Sequence, residues 1–342
     1  MHPYRLGIAL VVLTLFAPAV ARAQQGTPAA SPVASPGQVV ATGLANPRGM
    51  TWGPDGTLYV ALAGNGGTSG SVVKIEDGRP TPVVTGLPSV VSDQGSVNGA
   101  ADVAFLDGVL YVLVEGGGAG NKHPDQPSGV YKVSDDGTAT LVADLNAWVM
   151  DNPTASPVDH DPEGNPFKMV AGAGVLWVVI ATPDQVVTVT PDGSVTRVAD
   201  LTTGGMHHVL TGIALTQDGG ADIGTLSVFP FTDGTAKAVQ VSADGTVADA
   251  WTNLTAVTDV ARGADGTLYA LEMSTGNTKD SPMNAGTGRI VRQTGADSGD
   301  EVVAGFMLPV AMRVGPDGMA YVASPAVGAD NGEGTIVKVS LD

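Results

Sequence analysis

Residues 49–60 read Gly-Met-Thr-Trp-Gly-Pro-Asp-Gly-Thr-Leu-Tyr-Val. This stretch predicts two short apolar strands joined at Asp55-Gly56, a hairpin signal because both residues tolerate positive φ. Two further strands follow in the same module, at residues 71–76 and 82–87. Four strands in about 50 residues is the size of one blade of a β-propeller.

The same module recurs along the chain. Its central strand, typically Leu-Tyr-Val, is found six times, with middle residues at positions 59, 111, 177, 227, 269 and 321. The last copy stops after a third strand at residues 334–339. Residues 38–44 (QVVATGL) match the fourth strand of the first copy, residues 81–87. Pairing them with the last repeat would cover an exposed sheet edge. The sequence therefore predicts an all-β, six-bladed β-propeller over residues 38–342, closed by its N-terminal strand.

The N-terminus precedes this fold. Residues 1–23 combine a basic start, an apolar run and a small-residue cleavage site, which predicts a signal peptide cleaved near Ala23-Gln24. Residues 24–37 are a Pro/Ala/Ser-rich tether. We expect a secreted, periplasmic or cell-surface protein without a transmembrane segment. The chain has no Cys, so no disulfide supports it.

The charge of the chain restricts its partners. Against 34 acidic residues there are 16 basic ones, and loss of Arg5 and Arg22 with the signal peptide would leave 14 and a net charge of −20. Nucleic acid and anionic lipid need clustered Lys and Arg, so neither is expected. A monomer that meets a small molecule or a protein at its channel face is the expected state.

In a propeller, the first strand of each blade lines the central channel. Polar residues at the start of these strands are therefore candidates for a shared site although they are far apart in sequence: Asn46, Arg48, Asn98, Asp102, Asn165, Lys168, His207, His208, Thr258 and Asp259. Converging Asn and Asp oxygens suit Ca²⁺. The alternative is that they cap strand ends and satisfy loop backbone groups.

Further candidates fall into three groups. Glu115 and Glu272 each follow a central strand and are possible metal ligands. Residues 159–165 (DHDPEGN) begin like a calcium loop, offering Asp159, Asp161 and Glu163, but position 170 is Val instead of the expected Glu. Of the adjacent histidines, one is a candidate general base, because neighbours on a strand point to opposite faces. A hydrogen-bonded loop role is the alternative.

The run at residues 44–60 (LANPRGMTWGPDGTLYV) resembles the ScyD/ScyE family, named from a cyanobacterial pigment cluster. The shorter segments that agree in order are 165–167 (NPF), 211–214 (TGIA), 228–231 (VFPF), 234–236 (GTA) and 315–318 (GPDG). Residues 180–184 and an insertion at 154–161 depart from the family pattern. The resemblance implies a secreted or periplasmic propeller similar to NHL and gluconolactonase-like proteins, without an agreed reaction.

Two functions follow from these observations. The first is a ligand- or partner-binding propeller, because no complete catalytic motif is present. The second is a Ca²⁺-dependent hydrolase of the lactonase or esterase type, with the channel carboxylates and amides as ligands and Asp259 or a histidine as the catalytic group.

Overall fold

The computed structural model describes residues 36–92, 95–156, 164–202, 207–325 and 332–342. The predicted signal peptide and nearly all of the predicted tether lie outside the described residues. Within those residues the chain forms six antiparallel sheets arranged as the six blades of a β-propeller. The predicted fold class is confirmed.

Each blade starts with a strand at the channel and ends with a strand at the outer rim. Blade 1 consists of β2 (Pro47–Trp52), β3 (Leu58–Leu62), β4 (Gly67–Glu76) and β5 (Arg79–Val91), extended by the short β6 (Val97–Asn98). Blade 2 consists of β7 (Ala100–Leu106), β8 (Val109–Val114), β9 (Gly129–Val133) and β10 (Ala139–Asp144). Blade 3 consists of β11 (Pro166–Gly172), β12 (Val175–Ile180), β13 (Gln185–Val189) and β14 (Val195–Asp200).

The second half repeats the pattern. Blade 4 consists of β15 (Leu210–Leu215), β16 (Ala221–Thr225), β17 (Ala236–Val241) and β18 (Val247–Leu254). Blade 5 consists of β19 (Val257–Arg262), β20 (Leu268–Glu272), β21 (Gly288–Gln293) and β22 (Gly299–Phe306). Blade 6 consists of β23 (Ala311–Val314), β24 (Ala320–Ser324), β25 (Gly334–Val339) and the N-terminal β1 (Gln38–Leu44). A helix, α1 (Leu145–Asp151), and a 3-10 turn (Ala119–Asn121) lie in connections.

The ring closes as the sequence predicts. Strand β1 pairs antiparallel with β25, from Gln38 opposite Lys338 to Leu44 opposite Gly334. Ala41 and Leu44 are buried in the core between blades 6 and 1. The two ends of the described chain are thus held in one sheet, and no other strand pairs with the outer edge of β25 in that sheet.

The cores lie between neighbouring blades. Blade 1 packs on blade 2 through an edge-to-face contact of Tyr59 with Phe105, whose ring centroids are 5.0 Å apart. Between blades 4 and 5, Asp222 and Arg262 occupy the equivalent positions and form an ion pair. Nε of Arg262 lies 2.6 Å from Oδ2 of Asp222. The predicted central strand of blade 4, around residue 227, was wrong: the second strand of this blade is β16, and residues 226–228 follow it in a loop.

The described residues contain no helix that is both long and apolar enough to cross a membrane.

Candidate functional site

Six equivalent positions lie on the first strands, one in each blade, and we call them the inner ring. Their order around the propeller is Gly49, Asp102, Lys168, Gly212, Asp259 and Ala311. Glycine, then aspartate, recurs three blades apart, which gives the ring an approximate two-fold symmetry. The reason is steric: a Cβ on Gly49 would lie 1.7 Å from Oδ1 of Asp102, and one on Gly212 would lie 2.8 Å from Cα of Asp259.

Arg313 fills the centre of this ring. It extends from β23 of blade 6 and donates to Oδ2 of Asp102 in blade 2 at 3.0 Å. Its guanidinium also donates to the carbonyl oxygens of Met50, Met169 and Ile213, in blades 1, 3 and 4. Burial alone would lower the pKa of Arg313, but the neighbouring carboxylates, Asp102 first, raise it. One cation therefore joins four other blades across the channel.

The second half of the network is a fully buried ion pair. Nζ of Lys168 lies 3.0 Å from Oδ2 of Asp259, and the two side chains are 1 % and 0 % exposed. Asp259 also accepts the backbone N–H groups of Val260 and Met312, just as Asp102 accepts those of Val103 and Met169. Two carboxylates and two cations thus balance in charge at the centre of the molecule.

This arrangement decides how well the channel suits Ca²⁺. A hard cation of this kind requires six to eight oxygen ligands, but the oxygens of Asp102 and Asp259 are already directed at N–H groups and cations. In the part of the chain that the structure describes, no three His, Asp or Glu side chains gather in a geometry that could hold a metal. The channel carboxylates therefore do not fit Ca²⁺.

A different polar cluster lies where the channel opens on the upper face, the face formed by loops leading into first strands and by loops between second and third strands. Glu115, after β8, is buried beside Arg48 of blade 1 and hydrogen-bonds to Asn165 of blade 3. Burial raises the pKa of Glu115 to about 7, and the Arg48 charge and the Asn165 hydrogen bond oppose this rise only in part. We call Arg48, Glu115 and Asn165 the polar mouth.

A histidine–carboxylate pair continues this rim. Asp184, fully buried in the loop after β12, has its Oδ2 3.0 Å from Nδ1 of His207 and accepts the backbone N–H of His208 at 2.7 Å. Asn165 is tied to the same loop, since its N–H donates to Thr182 at 2.8 Å. The carboxylate fixes the imidazole orientation, so chemistry toward a ligand would use Nε2, the arrangement that makes a histidine a directed base.

The other candidate residues divide between cap and core roles. Asn46 is buried with φ of 51° and donates from Nδ2 to Gly64, which is a loop cap. Asn98 pairs in β6, and Thr258 donates its hydroxyl to Pro309. Burial lowers the pKa of His208. Asp159, Asp161 and Glu163 lie outside the described residues.

Glu272 is separated from Glu115. Its carboxylate accepts the N–H of Thr255 at 2.8 Å and pairs with Nε of Arg289 at 2.6 Å, so it joins adjacent loops and strands within the blades instead of facing the mouth. Burial raises its pKa against the effect of Arg289. Glu272 and Glu115 thus have different partners, and metal binding by either of them stays a prediction.

Sequence reasoning missed two important residues, Asp184 and Arg313. Arg313 carried a usable signal, because a basic residue within an otherwise apolar first strand requires a buried acidic partner. Asp184 carried none, since it lies in a loop without a motif and its role depends on the fold bringing His207 to it.

Together these features define a six-bladed β-propeller whose channel is closed by an internal charge network beneath a polar mouth. No family model matches the sequence, and a search of curated proteins gives no match. Its structural neighbours are propellers of the regucalcin and gluconolactonase kind. They include the calcium-binding protein regucalcin from Agrobacterium tumefaciens, with a TM-score of 0.58 and 14 % identity over 89 % of this chain and 94 % of that one.

Two further neighbours carry different activities on the same fold. A gluconolactonase from Xanthomonas campestris matches with a TM-score of 0.53 and 12 % identity over 88 % of this chain and 89 % of its own. A PQQ-bound aldose sugar dehydrogenase from Streptomyces coelicolor matches with a TM-score of 0.57 and 13 % identity over 88 % and 96 %. At such identities the likeness establishes the fold alone, and the function has to be argued from the site.

Proposed function

We propose that this protein binds a small organic acid at the polar mouth. The observation that carries the proposal is Glu115, a buried carboxyl beside Arg48 with a pKa of about 7. While Glu115 is neutral, the charge of Arg48 acts on a ligand carboxylate, which the planar guanidinium matches in geometry. When Glu115 ionises, it competes for the same cation.

The inner ring supports this assignment by elimination. Its four charged residues are paired in charge, Lys168 with Asp259 and Arg313 with Asp102, so an anion entering the channel finds each cation beside a carboxylate. At the mouth, by contrast, the guanidinium of Arg48 lies beside a carboxyl whose charge depends on pH.

The cellular setting is part of the same proposal. The predicted signal peptide would place the protein outside the cytoplasm. We expect it to act there as a monomer. The resemblance to the ScyD/ScyE family likewise implies a secreted or periplasmic propeller, without an agreed reaction. The net negative charge of the protein disfavours polyanions as ligands. It acts only weakly on a single bound carboxylate, because salt screens charges that lie more than about 8–10 Å away.

The test is calorimetry on residues 24–342 with gluconate, succinate and benzoate at pH 6 and pH 8. We expect at least one acid to bind about tenfold more weakly at pH 8, as a site that requires neutral Glu115 demands. In Glu115→Gln the affinity should be equal at both pH values, and Arg48→Gln should lose it. The matched control, Glu301→Gln on an exposed outer strand, should behave as wild type. Binding that stays pH-dependent in Glu115→Gln would contradict the proposal.

A second function is favoured by a separate observation, the 3.0 Å contact between Asp184 and His207. In this reading the protein is a hydrolase of esters or lactones in which His207 accepts a proton from water. The water oxygen then attacks the carbonyl carbon, the carbon–oxygen bond to the leaving alcohol breaks, and the imidazolium returns the proton to that alcohol. This is the lactonase-type alternative without a channel metal.

The hydrolase reading is tested with p-nitrophenyl acetate and glucono-δ-lactone. His207→Gln should abolish turnover, and the matched control His123→Gln in the blade 2 loop should keep it. Asp184→Asn should change the pH profile as well as the rate, because Asp184 orients the imidazole. Equal rates for His207→Gln and His123→Gln would exclude His207 as the base.

A further inference from the structure

The two polar atoms of the Asn165 side chain have different surroundings. Nδ2 donates to the carboxyl of Glu115, the hydrogen bond that opposes the rise in the pKa of that group. Oδ1 is buried and accepts no hydrogen bond from any residue that the structure describes. A buried acceptor without a donor is destabilising and therefore rare in folded proteins. This oxygen thus requires a donor that the described part of the chain does not supply.

The backbone holds this amide in place. The N–H of Asn165 donates to the carbonyl oxygen of Thr182 at 2.8 Å, and its own carbonyl oxygen accepts the N–H of Ala181 at 2.7 Å. The next residue, Pro166, is buried at the start of β11 and lies opposite Ile180 of β12. The side chain therefore projects from a fixed position, which is what a group that selects a ligand requires.

Asn165 is also the member of the polar mouth that is most open to solvent. Arg48 and Glu115 are 6 % and 7 % exposed, whereas Asn165 is half-buried. The carboxyl of Glu115 lies beside Arg48 and is hydrogen-bonded to Asn165. The cation for a ligand carboxylate and the unpaired acceptor are thus separated by a single carboxyl group, so one small ligand reaches both through neighbouring carbon atoms.

The charges at the mouth determine which kind of donor fits. An ammonium group would add a second positive charge beside Arg48, whereas a hydroxyl donates without a charge. Neutral Glu115 keeps its own O–H for the ligand carboxylate, because its carbonyl oxygen accepts Nδ2 of Asn165. The mouth therefore matches a carboxylate with a hydroxyl next to it.

We infer that the ligand of this protein is a 2-hydroxy acid, whose carboxylate binds at Arg48 and whose hydroxyl donates to Oδ1 of Asn165. This inference rests on the proposed binding of an organic acid at the polar mouth and specifies the group beside the carboxylate. A site that hydrogen-bonds a ligand hydroxyl strongly disfavours the analogue that lacks it, because its own polar group is then left unpaired. Acids without the hydroxyl are therefore expected to bind weakly.

The probes are propionate, the two enantiomers of lactate, and alanine, which share one three-carbon skeleton. In calorimetry on residues 24–342 at pH 6, the better lactate enantiomer should bind at least about tenfold more tightly than propionate. Alanine should bind no more tightly than propionate. In Asn165→Ala the ratio of lactate to propionate affinity should fall to about 1. In Asn165→Asp, which keeps an acceptor and adds a negative charge, the preference should move from lactate to alanine.

The matched control is Asn284→Ala. Asn284 is likewise half-buried, in an upper-face loop of blade 5, and its Nδ2 donates to the carbonyl oxygen of Thr275 at 3.2 Å. Loss of this amide should leave the ratio of lactate to propionate affinity as in wild type. An equal loss in Asn284→Ala and Asn165→Ala would overturn the assignment of the hydroxyl to Asn165.

The outcomes separate this inference from the one it rests on. Equal affinities for lactate and propionate, both lost in Arg48→Gln, overturn the hydroxyl contact and leave the mouth as a site for acids. A lactate preference that persists in Asn165→Ala also overturns the contact. Failure of every acid to bind, or lactate binding that survives Arg48→Gln, overturns the proposed function and this inference with it. If Asn165→Ala does not fold, the wild-type preference and the change in Asn165→Asp decide the question.

Discussion

Replacing Lys168 by Met tests whether the inner ring is an internal counter-ion network. The substitution keeps most of the side-chain volume and removes the charge 3.0 Å from Asp259, which is fully buried. Removing one partner of a buried pair leaves an uncompensated charge and costs about 3–5 kcal/mol. Adding Asp259→Asn removes that charge and keeps an oxygen acceptor for one of the two N–H groups that Asp259 binds, those of Val260 and Met312. The double variant should recover to within about 1–2 kcal/mol of wild type.

The assay is equilibrium unfolding in urea at pH 7, followed by fluorescence of the buried Trp177 and Trp251. The control is Lys237→Met, which removes a shorter but exposed pair: Nζ of Lys237 lies 2.6 Å from Oδ1 of Asp249, and the two side chains are 26 % and 52 % exposed. Exposed pairs contribute about 0–1 kcal/mol. A loss in Lys168→Met no larger than in Lys237→Met would refute the network. So would a double variant as unstable as the two single losses added together.

The remaining predictions concern stability and metal. Burial raises the pKa of Glu115 from 4.5 in the unfolded chain to about 7 in the folded protein. The neutral carboxyl therefore contributes about 3 kcal/mol to the free energy of unfolding below pH 4.5, and this contribution is lost as the pH rises through 7. Compared with wild type, Glu115→Gln should therefore be more stable at pH 8 than at pH 5. The same difference in melting temperature between variant and wild type at both pH values would contradict this. Gly49→Ala should cost about 3 kcal/mol in urea unfolding, since its Cβ would collide with Asp102. Deleting residues 38–44 should lower the melting temperature far more than deleting residues 24–35, because residues 38–44 form a strand that pairs with β25. If Ca²⁺ selectively raises the melting temperature, the rise should persist in Asp102→Asn. Its loss in that variant would indicate that Ca²⁺ binds in the channel.

The repeat made the fold predictable, whereas the different directions of two glutamate side chains were not predicted although the sequence contains the signal. Glu115 is four residues after Tyr111, and Glu272 is three after Tyr269. Successive side chains on a strand alternate in direction, so this one-residue difference sends the first to the mouth and the second to Arg289. This difference in spacing from the tyrosine is visible in the sequence, and it predicts that the two glutamates point in opposite directions.

Other features depended on contacts that no local pattern encodes. The second strand of blade 4 lacks the Leu-Tyr-Val form, because Asp222 occupies the aromatic position and pairs with Arg262 of the next blade. Likewise, the position of Asp102 in a channel-lining strand was predictable, but its engagement with Arg313 joins residues 211 positions apart. Only closure of the ring brings them together.

The most direct test of the account is the ionisation of Glu115 in the intact protein, followed by carbon-13 NMR of labelled glutamate carboxyl groups and assigned with Glu115→Gln. The account predicts a midpoint near pH 7, because burial outweighs the effect of Arg48. Saturation with a bound organic acid should move that midpoint higher, since the ligand carboxylate then favours the neutral form. A midpoint between about 4 and 5, the range of an ordinary glutamate, or one that ignores the ligand, would contradict it.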